Sequence, residues 1–547
     1  MCGIFASFGK IKLYDAIECL GHLEYRGYDS AGVAYIDGDI KTNKALGATS
    51  NLINNIENKE VSSLISHTRW ATNGVVNLDN THPHSSLDRE VYLVHNGILE
   101  NEQELIDKYL GNISLKSDTD SEVIANLLSV FLKSSSPLEA LKRLKEIMQG
   151  QYAIVVLICG VDGLFYLKKD MPLILAYDDI ENYYLTSDIL SLPANTKRYA
   201  VLDDDTYGLI NCDLNCDNFL FKSFFSNNEQ LIKENRMIVE IKEELTLVDD
   251  LIKSINEDEE ALRPFLDETS EIVVLGAGSS YYAGLYACKI WERVLKKRIS
   301  CFIASEFQFN ESLYKENTLF LLISQSGETA DLIASLSHIK WGKTILVTNK
   351  IDSTLARKVD IAFDIKAKTE IAVAATKSFN QTILWFYLLA LTYTRQDYLE
   401  IQSYKKNIHY FINKITEVSV KEKFFFLGSN FDFVAALEAA LKLKEVTYIS
   451  SWGLALKELK HGPIALIDED TTVYILNSDI DQNVNNTIQE IKARKGEVIV
   501  ITPPFTSPYL GALSLITFSQ LLAYHIAIKL GLNPDKPRNL AKSVTVL

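Results

Sequence analysis

Cys2 is the residue whose type and place point most directly to chemistry. It follows Met1 in Met1-Cys2-Gly3-Ile4-Phe5, and a small second side chain lets the methionine be trimmed. Cys2 would then carry a thiol nucleophile and a free α-amine on one residue. An α-amine titrates near ~7.7–8.0, so much of it is basic at working pH, and nucleophile and base arrive together. Three further segments offer what such a nucleophile needs. His67-Thr68-Arg69-Trp70-Ala71-Thr72 ends a predicted strand, and Arg69 suits a bidentate grip on a carboxylate. His95-Asn96-Gly97 follows a strand predicted over 91–94. Asn96 and the Gly97 N–H suit an oxyanion, at ~2.7–4 kcal/mol per donor, although Asn-Gly is also a common hairpin turn. Ser117-Asp118-Thr119-Asp120 precedes a helix predicted over 121–132, where Asp120 either caps the helix or grips an ammonium. Together these parts would bind an α-amino acid and attack its side-chain amide.

A second set lies in the C-terminal half. Ser324-Gln325-Ser326-Gly327-Glu328-Thr329 falls between an apolar strand, 319–323, and a helix. Free N–H groups and the dipole at a helix N-terminus bind anions. Ser324, Ser326 and Thr329 add hydroxyls, and Gly327 permits close backbone approach. Ser280 holds the matching place after the preceding strand, where open parallel sheets bind ligands. A Walker lysine is missing, so the pattern suits a sugar phosphate better than a nucleotide. Glu438, Lys442 and Glu445 are spaced by four and three, which puts them on one helical face. His461 stands at a rigid turn beside Gly462-Pro463, and Lys542 lies in a polar-to-apolar tail.

The elements that must position these residues read as several domains. Residues 1–225 are β-rich with interspersed helices. Residues 226–261 are charged and helical by period, ending before Pro264, and read as a linker. Beyond them an internal repeat appears. Three strand–loop–helix units, with strands near 271–275, 319–323 and 344–347, recur in register near 423–427, 473–476 and 498–501. Strands alternating with helices imply parallel α/β sheets, so two related doubly wound domains are expected at 262–400 and 411–535, with a tail at 536–547. In the second copy Asn477-Ser478-Asp479 replaces the hydroxyl-rich loop, and an acidic residue there disfavours a phosphate. The net charge of −16 and a pI near 5.2 argue against nucleic acid and anionic membranes as partners. No apolar run of the ~18 residues a membrane span needs is read from the sequence. The seven cysteines are scattered and odd in number, which points to a reducing cytoplasm and no metal site.

In this order along one chain, the segments resemble the glutamine–fructose-6-phosphate aminotransferase (isomerising) family. They are Met1–Ile4, Leu23–Gly32, His67–Thr72, His95–Asn101, Ser324–Thr329, Leu441–Glu445, Glu458–Pro463 and Pro537–Val546. The resemblance covers nearly the whole chain. It implies an N-terminal-nucleophile glutaminase domain, an αββα sandwich, at 2–225, followed by two sugar-isomerase (SIS) domains. Cys2 would attack glutamine with its α-amine as base, and Asn96 and Gly97 would hold the oxyanion. Arg69, Thr72 and Asp120 would hold the amino-acid end of glutamine, Trp70 would gate the ammonia path, and His82 would support the site from behind. Ser280, Ser324, Gln325, Ser326 and Thr329 would bind the sugar phosphate, with Val373 and Ala541 beside it. Lys542, in a tail closing the sugar site, would form a Schiff base with fructose 6-phosphate. Glu445 would move the proton between C1 and C2, Lys442 would stabilise the enolamine, and His461, from the neighbouring subunit of a homodimer, would open the ring. No cofactor is implied. Asn73 stands where the family usually has His, Ala277 where a Cys is common, and 450–457 departs from the usual Ala-rich stretch. A paralogue aminating another ketose phosphate therefore stays open.

Overall fold

Alternation along Gly3–Lys12 sets the architecture of the N-terminal half. Ile4, Ala6 and Phe8 face one apolar layer and Phe5 the layer on the other side, as the period of a strand requires. The computed structural model describes residues 2–71, 74–180, 182–224, 235–307, 314, 316–415, 418–478 and 484–543. It divides into two units, Met1–Leu231 with Ala541–Leu547, and Ile232–Leu540.

The first unit contains two antiparallel sheets. The eight-stranded sheet has the spatial order Lys222–Ser223, Thr196–Val201, Ile174–Asp178, Tyr183–Thr186, Gly3–Lys12, Glu60–Arg69, Ser30–Asp37, Asp39–Leu46. The five-stranded sheet runs Thr206–Ile210, Leu164–Lys169, Gly150–Ile158, Val91–Leu99, His84–Ser85. Ala153, Val155 and Leu157 meet Ile4, Ala6 and Phe8 in the layer between the sheets. Ile154 and Val156 point outward, against the helices Asp120–Leu132 and Pro137–Ile147. On the opposite outer face Leu13, Ile17 and Leu20 of the helix Leu13–Gly21 pack against Phe5 and Leu64. Three apolar layers between four layers of elements make the expected αββα sandwich.

In the second unit every sheet pairing is parallel. One sheet runs Arg298–Ile303, Glu271–Gly276, Thr318–Ser324, Lys343–Thr348, Ile361–Asp364; the other runs Ser450–Ala455, Lys423–Gly428, Thr471–Leu476, Glu497–Ile501. Both therefore place the second strand of the copy outside the first and the third on its other side, which leaves a crevice where the chain changes direction. A single core of helices, including Lys377–Tyr393, Phe431–Thr447 and Gly511–Lys529, packs with Ile272, Val274, Phe424 and Phe426 from the two sheets.

Three sequence expectations are corrected. The helix expected to stop before Pro264 runs Arg236–Glu268. Leu262 and Leu266 on either side of the proline are fully buried, and that packing outweighs the lost N–H and the local clash. Its Met237, Ile241, Val248, Leu251 and Ile255 also lie in the core of the second unit. Gly511–Lys529 does have the length and apolarity of a membrane span, with a mean hydropathy of 1.5, but 83% of that window is buried inside the protein. Finally, the strand at Val91 continues to Leu99 through Asn96-Gly97 instead of turning there.

Candidate active sites

The thiol of Cys2 sits at the ends of two neighbouring strands of the first unit, before Gly3–Lys12 and beside the end of Glu60–Arg69. The Trp70 N–H, one residue past Glu60–Arg69, donates to Cys2 Sγ at 3.4 Å, and the Trp70 carbonyl lies 3.7 Å from the same sulfur. The Cys2 carbonyl accepts from Arg26 Nε at 3.1 Å and Asn96 Nδ2 at 3.1 Å. Arg26 is itself buried and pairs with Asp188 at 3.7 Å. Gly97 has φ +136°, and a Cβ there would come within 1.9 Å of the Gln151 carbonyl oxygen. A side chain is thus excluded at the residue that offers an N–H beside Asn96.

Behind Asn96 lies a set of four buried histidines, His67, His82, His84 and His95. The His67 ring is 4.0 Å from that of His82, which is 4.6 Å from that of His84. Ser121 Oγ lies 2.8 Å from His82 Nε2 and 3.0 Å from His95 Nδ1. Burial holds His67 down at about 3 and pushes His82 and His84 well below the ordinary imidazole range. Among the described residues no three His, Cys, Asp or Glu groups are arranged to hold a metal, so the quartet is a hydrogen-bonding and packing array. Sequence reasoning gave a role only to His82 of this set; His84 lies two residues away, but His67 and His95 come from other strands and no local spacing joins them to it.

Asp120 does not cap its own helix. Thr119 is the N-cap, and the Asp120 carboxylate accepts from Leu99 N at 2.8 Å. Burial acts to raise Asp120, but the neighbouring His95 together with bonds from Leu99 and Ser121 holds its carboxyl below the usual range. It therefore stays ionised and suits an ammonium. Arg69 is buried at the end of its strand, with guanidinium contacts to the Val75 and Gly74 carbonyls at 3.4 and 3.5 Å. Thr72 and Asn73 lie outside the described residues. The Lys542 N–H lies 3.4 Å from the Tyr25 carbonyl within this first unit, to which Ala541 also belongs.

In the second unit Lys442 is the centre of a buried charge cluster. Its Nζ lies 3.3 Å from Glu438 Oε1, 2.6 Å from Glu445 Oε2 and 3.1 Å from Ser279 Oγ. Ser279 Oγ donates to Glu438 Oε1 at 3.0 Å. Burial alone would lower the Lys442 amine, but Glu438 and Glu445 hold it above its ordinary value. Burial lifts Glu438 to about 7, Lys442 opposing and Glu445 adding to the shift. Lys442 is thus a fixed cation and Glu438 a carboxyl that titrates near neutrality. Ser279 was missed from sequence because only the fold brings the first turn of Ser279–Leu295 to this helix.

The serine-rich loop connects Thr318–Ser324 to the helix Ala330–His338. Gly327 N donates to Ser324 Oγ at 3.0 Å, Ser324 Oγ and Thr329 Oγ1 are 2.8 Å apart, and Glu328 N donates to Ser326 Oγ at 3.1 Å. Gly327 has φ +65°, and a Cβ would strike Ser353. The Glu328 carboxylate turns away to accept from Thr354 N at 2.9 Å, which leaves the loop without its own anion. The second copy differs. There Ser478 gives its N–H and hydroxyl to the two Asp432 carboxylate oxygens at 2.8 and 2.6 Å; Asp479 lies outside the described residues. Ser280 is the second residue of the helix Ser279–Leu295 that follows Glu271–Gly276, and Val373, buried, donates its N–H to the Asp535 carbonyl at 3.0 Å. His461 ends the short 3-10 helix Leu456–His461 and is exposed. Among the described residues no hydrogen bond or ion pair joins it to Glu438, Lys442 or Glu445.

Residues 28–156 match the class-II glutamine amidotransferases, and residues 265–392 and 417–509 match the SIS domain. The chain is 33% identical to a glutamine–fructose-6-phosphate aminotransferase [isomerizing] of Clostridium acetobutylicum and 34% identical to one of Pyrococcus horikoshii, over 100% of both chains in each case. Among solved structures it is similar to the C-terminal domain of a glucosamine-fructose-6-phosphate aminotransferase from Francisella tularensis (28% identity, TM-score 0.50, 57% of this chain and 100% of that one). It is also similar to a glucosamine-6-phosphate deaminase from Thermotoga maritima (26% identity, TM-score 0.51, again 57% and 100%). With an amidotransferase unit holding the Cys2 thiol against Trp70 and the Cys2 carbonyl against Asn96, and doubly wound sheets behind Lys442, this chain belongs to the glutamine–fructose-6-phosphate aminotransferase (isomerizing) family.

Proposed function

We propose that this chain transfers the amide nitrogen of glutamine to fructose 6-phosphate and isomerises the product to glucosamine 6-phosphate. The observation that carries the reading is the pairing of a thiol beside an oxyanion donor with a buried lysine held between two carboxyls, in a chain whose full-length relatives bear that enzyme's name.

With Met1 removed, the Cys2 α-amine takes the thiol proton through a water and Sγ attacks the amide carbon. Asn96 and the Gly97 N–H receive the oxyanion. The amine returns the proton to the leaving nitrogen, ammonia departs, and water releases glutamate from the thioester. Arg69 and Thr72 hold the α-carboxylate, Asp120 holds the α-ammonium, and the Trp70 side chain gates the ammonia. Carrying that ammonia to the isomerase site without release to bulk water keeps it unprotonated.

Ser280, Ser324, Gln325, Ser326 and Thr329 take the phosphate, with Val373 and Ala541 beside the sugar. A Schiff base needs a neutral amine. Lys442 is held protonated between its carboxylates, so it cannot supply one; Lys542 fills that role and loses water with the C2 carbonyl oxygen. Glu445 moves a proton between C1 and C2, while the Lys442 cation stabilises the enolamine. Ammonia displaces the lysine. His461 opens the sugar ring from the partner subunit of a homodimer, a reading supported by its exposure. The free state of all seven cysteines supports a reducing, cytoplasmic setting.

The test is one assay. Glutamine and fructose 6-phosphate are supplied together, and glutamate and glucosamine 6-phosphate are measured. Equal amounts of both are expected. Glutamate without amino sugar, with amino sugar appearing on another ketose phosphate, would move the acceptor to a paralogous substrate.

A further inference from the structure

Asn96 can serve as an oxyanion donor only with its amide nitrogen facing the Cys2 end. Its carbonyl oxygen must then find a donor on the other side. Among the described residues that donor is His67. His67 Nε2 lies 3.0 Å from Asn96 Oδ1 and 3.1 Å from the His95 carbonyl oxygen. A backbone carbonyl only accepts, so the proton of this imidazole is on Nε2. His67 Nδ1 is buried without a partner among the described residues, which also leaves the proton on Nε2. At the far end Asn96 Nδ2 lies 3.1 Å from the Cys2 carbonyl, again an obligatory acceptor. Turning the amide over would set N–H against N–H at one end and oxygen against oxygen at the other.

We propose that His67 is a positioning residue that fixes the orientation of the Asn96 amide, and so sets the oxyanion donor before glutamine arrives. His67 belongs to Glu60–Arg69 in the eight-stranded sheet and Asn96 to Val91–Leu99 in the five-stranded sheet. The bond therefore ties the two sheets together at the nucleophile. The His67 ring has no room to swing: it is fully buried and lies against His82, which is held by Ser121. The inference rests on the glutaminase reading of Cys2.

The test is a double-mutant cycle on glutamate release. H67A is expected to lower kcat about ten-fold, with KM within about two-fold, because the donor is used in the transition state. H67Q, whose amide N–H reaches near the Nε2 position, is expected to recover most of that loss. In an N96A background H67A is expected to cost less than about two-fold, since nothing remains to be positioned. Alkylation of Cys2 by iodoacetamide at an unchanged rate would show that the nucleophile and fold are intact. If H67A does not fold, the cycle is run with H67N, which fills more of the space but is too short to reach Asn96. Equal losses in the two backgrounds, a raised KM with unchanged kcat, or H67Q as slow as H67A would each overturn the inference in an active enzyme. A wild-type protein that releases no glutamate would overturn the glutaminase reading and the inference together.

Discussion

Behind Asn96 the buried polar groups that do the positioning are neutral, the His67, His82 and His84 imidazoles and the Asn96 amide, while the charged Arg26 bonds the Cys2 carbonyl. Around Lys442 they are charged or half-charged: an ammonium between two carboxyls, with Glu438 near its midpoint at neutral pH. The first arrangement works by direction, since each neutral group has one productive orientation and a wrong flip leaves donors facing donors. The second works by balance, since each buried charge is tolerable only while its partner is present. The chemistry follows the same division. In the proposed mechanism an oxyanion beside Cys2 would need aimed N–H groups, whereas proton movement on a sugar would need groups that gain and lose charge.

The largest effects should separate the two sites outright. Cys2→Ala should reduce glutamate release by about four orders of magnitude or more and leave isomerisation of the sugar phosphate measurable; Lys542→Ala should do the reverse. Both activities falling together in each variant would break the two-site comparison. Next in size, Lys442→Met should destabilise the second unit by about 3 kcal/mol, because it strands the buried Glu438 and the half-buried Glu445, and adding Glu438→Gln should restore much of the loss. Urea unfolding of the single and double variants measures this, and a neutral Lys442→Met would show that charge balance is not what holds the cluster. The subtlest difference is in pH. His67 has a folded value below its unfolded one, so the unfolded chain binds more protons between about 6.5 and 3 and stability is lost as pH falls through that window. At pH 5 that is about 2 kcal/mol for His67 alone. Glu438 and the buried Glu244 are raised to about 7 by burial, so their contributions run the other way and weaken as pH rises from about 4.5 to 7. Acidification from pH 7 to 5 should loosen the first unit and spare the second. Peptide-level pulsed hydrogen exchange, labelled at one fixed pH, checks this; equal loosening of both units would remove the contrast.

What the sequence made legible was local. The Glu438, Lys442, Glu445 face follows from helical spacing alone, and the repeated strand–loop–helix units announce both parallel sheets. The histidine quartet was out of reach because His67 and His95 lie in segments far from His82 and His84 and join them only when two sheets stack. Pro264 misled because packing by Leu262 and Leu266 decides the helix there. Asn96-Gly97 reads as a turn, and it stays in a strand because Gly97 pairs opposite Tyr152 at a φ few residues adopt. The helix Gly511–Lys529 was overlooked because Ser, Thr, Gln, Tyr and His interrupt its apolar run, though buried ones among them find partners in the core, as Thr517 does with Glu244 at 3.2 Å.

The Asp432–Ser478 contact bears on stoichiometry. A duplicated fold would ordinarily inherit two anion sites, and a chain with both open would titrate with two phosphate esters, one of them unproductive. Because the second copy answers its own loop with a side-chain carboxylate, saturation should require one sugar phosphate per chain, and excess substrate meets no idle twin to occupy.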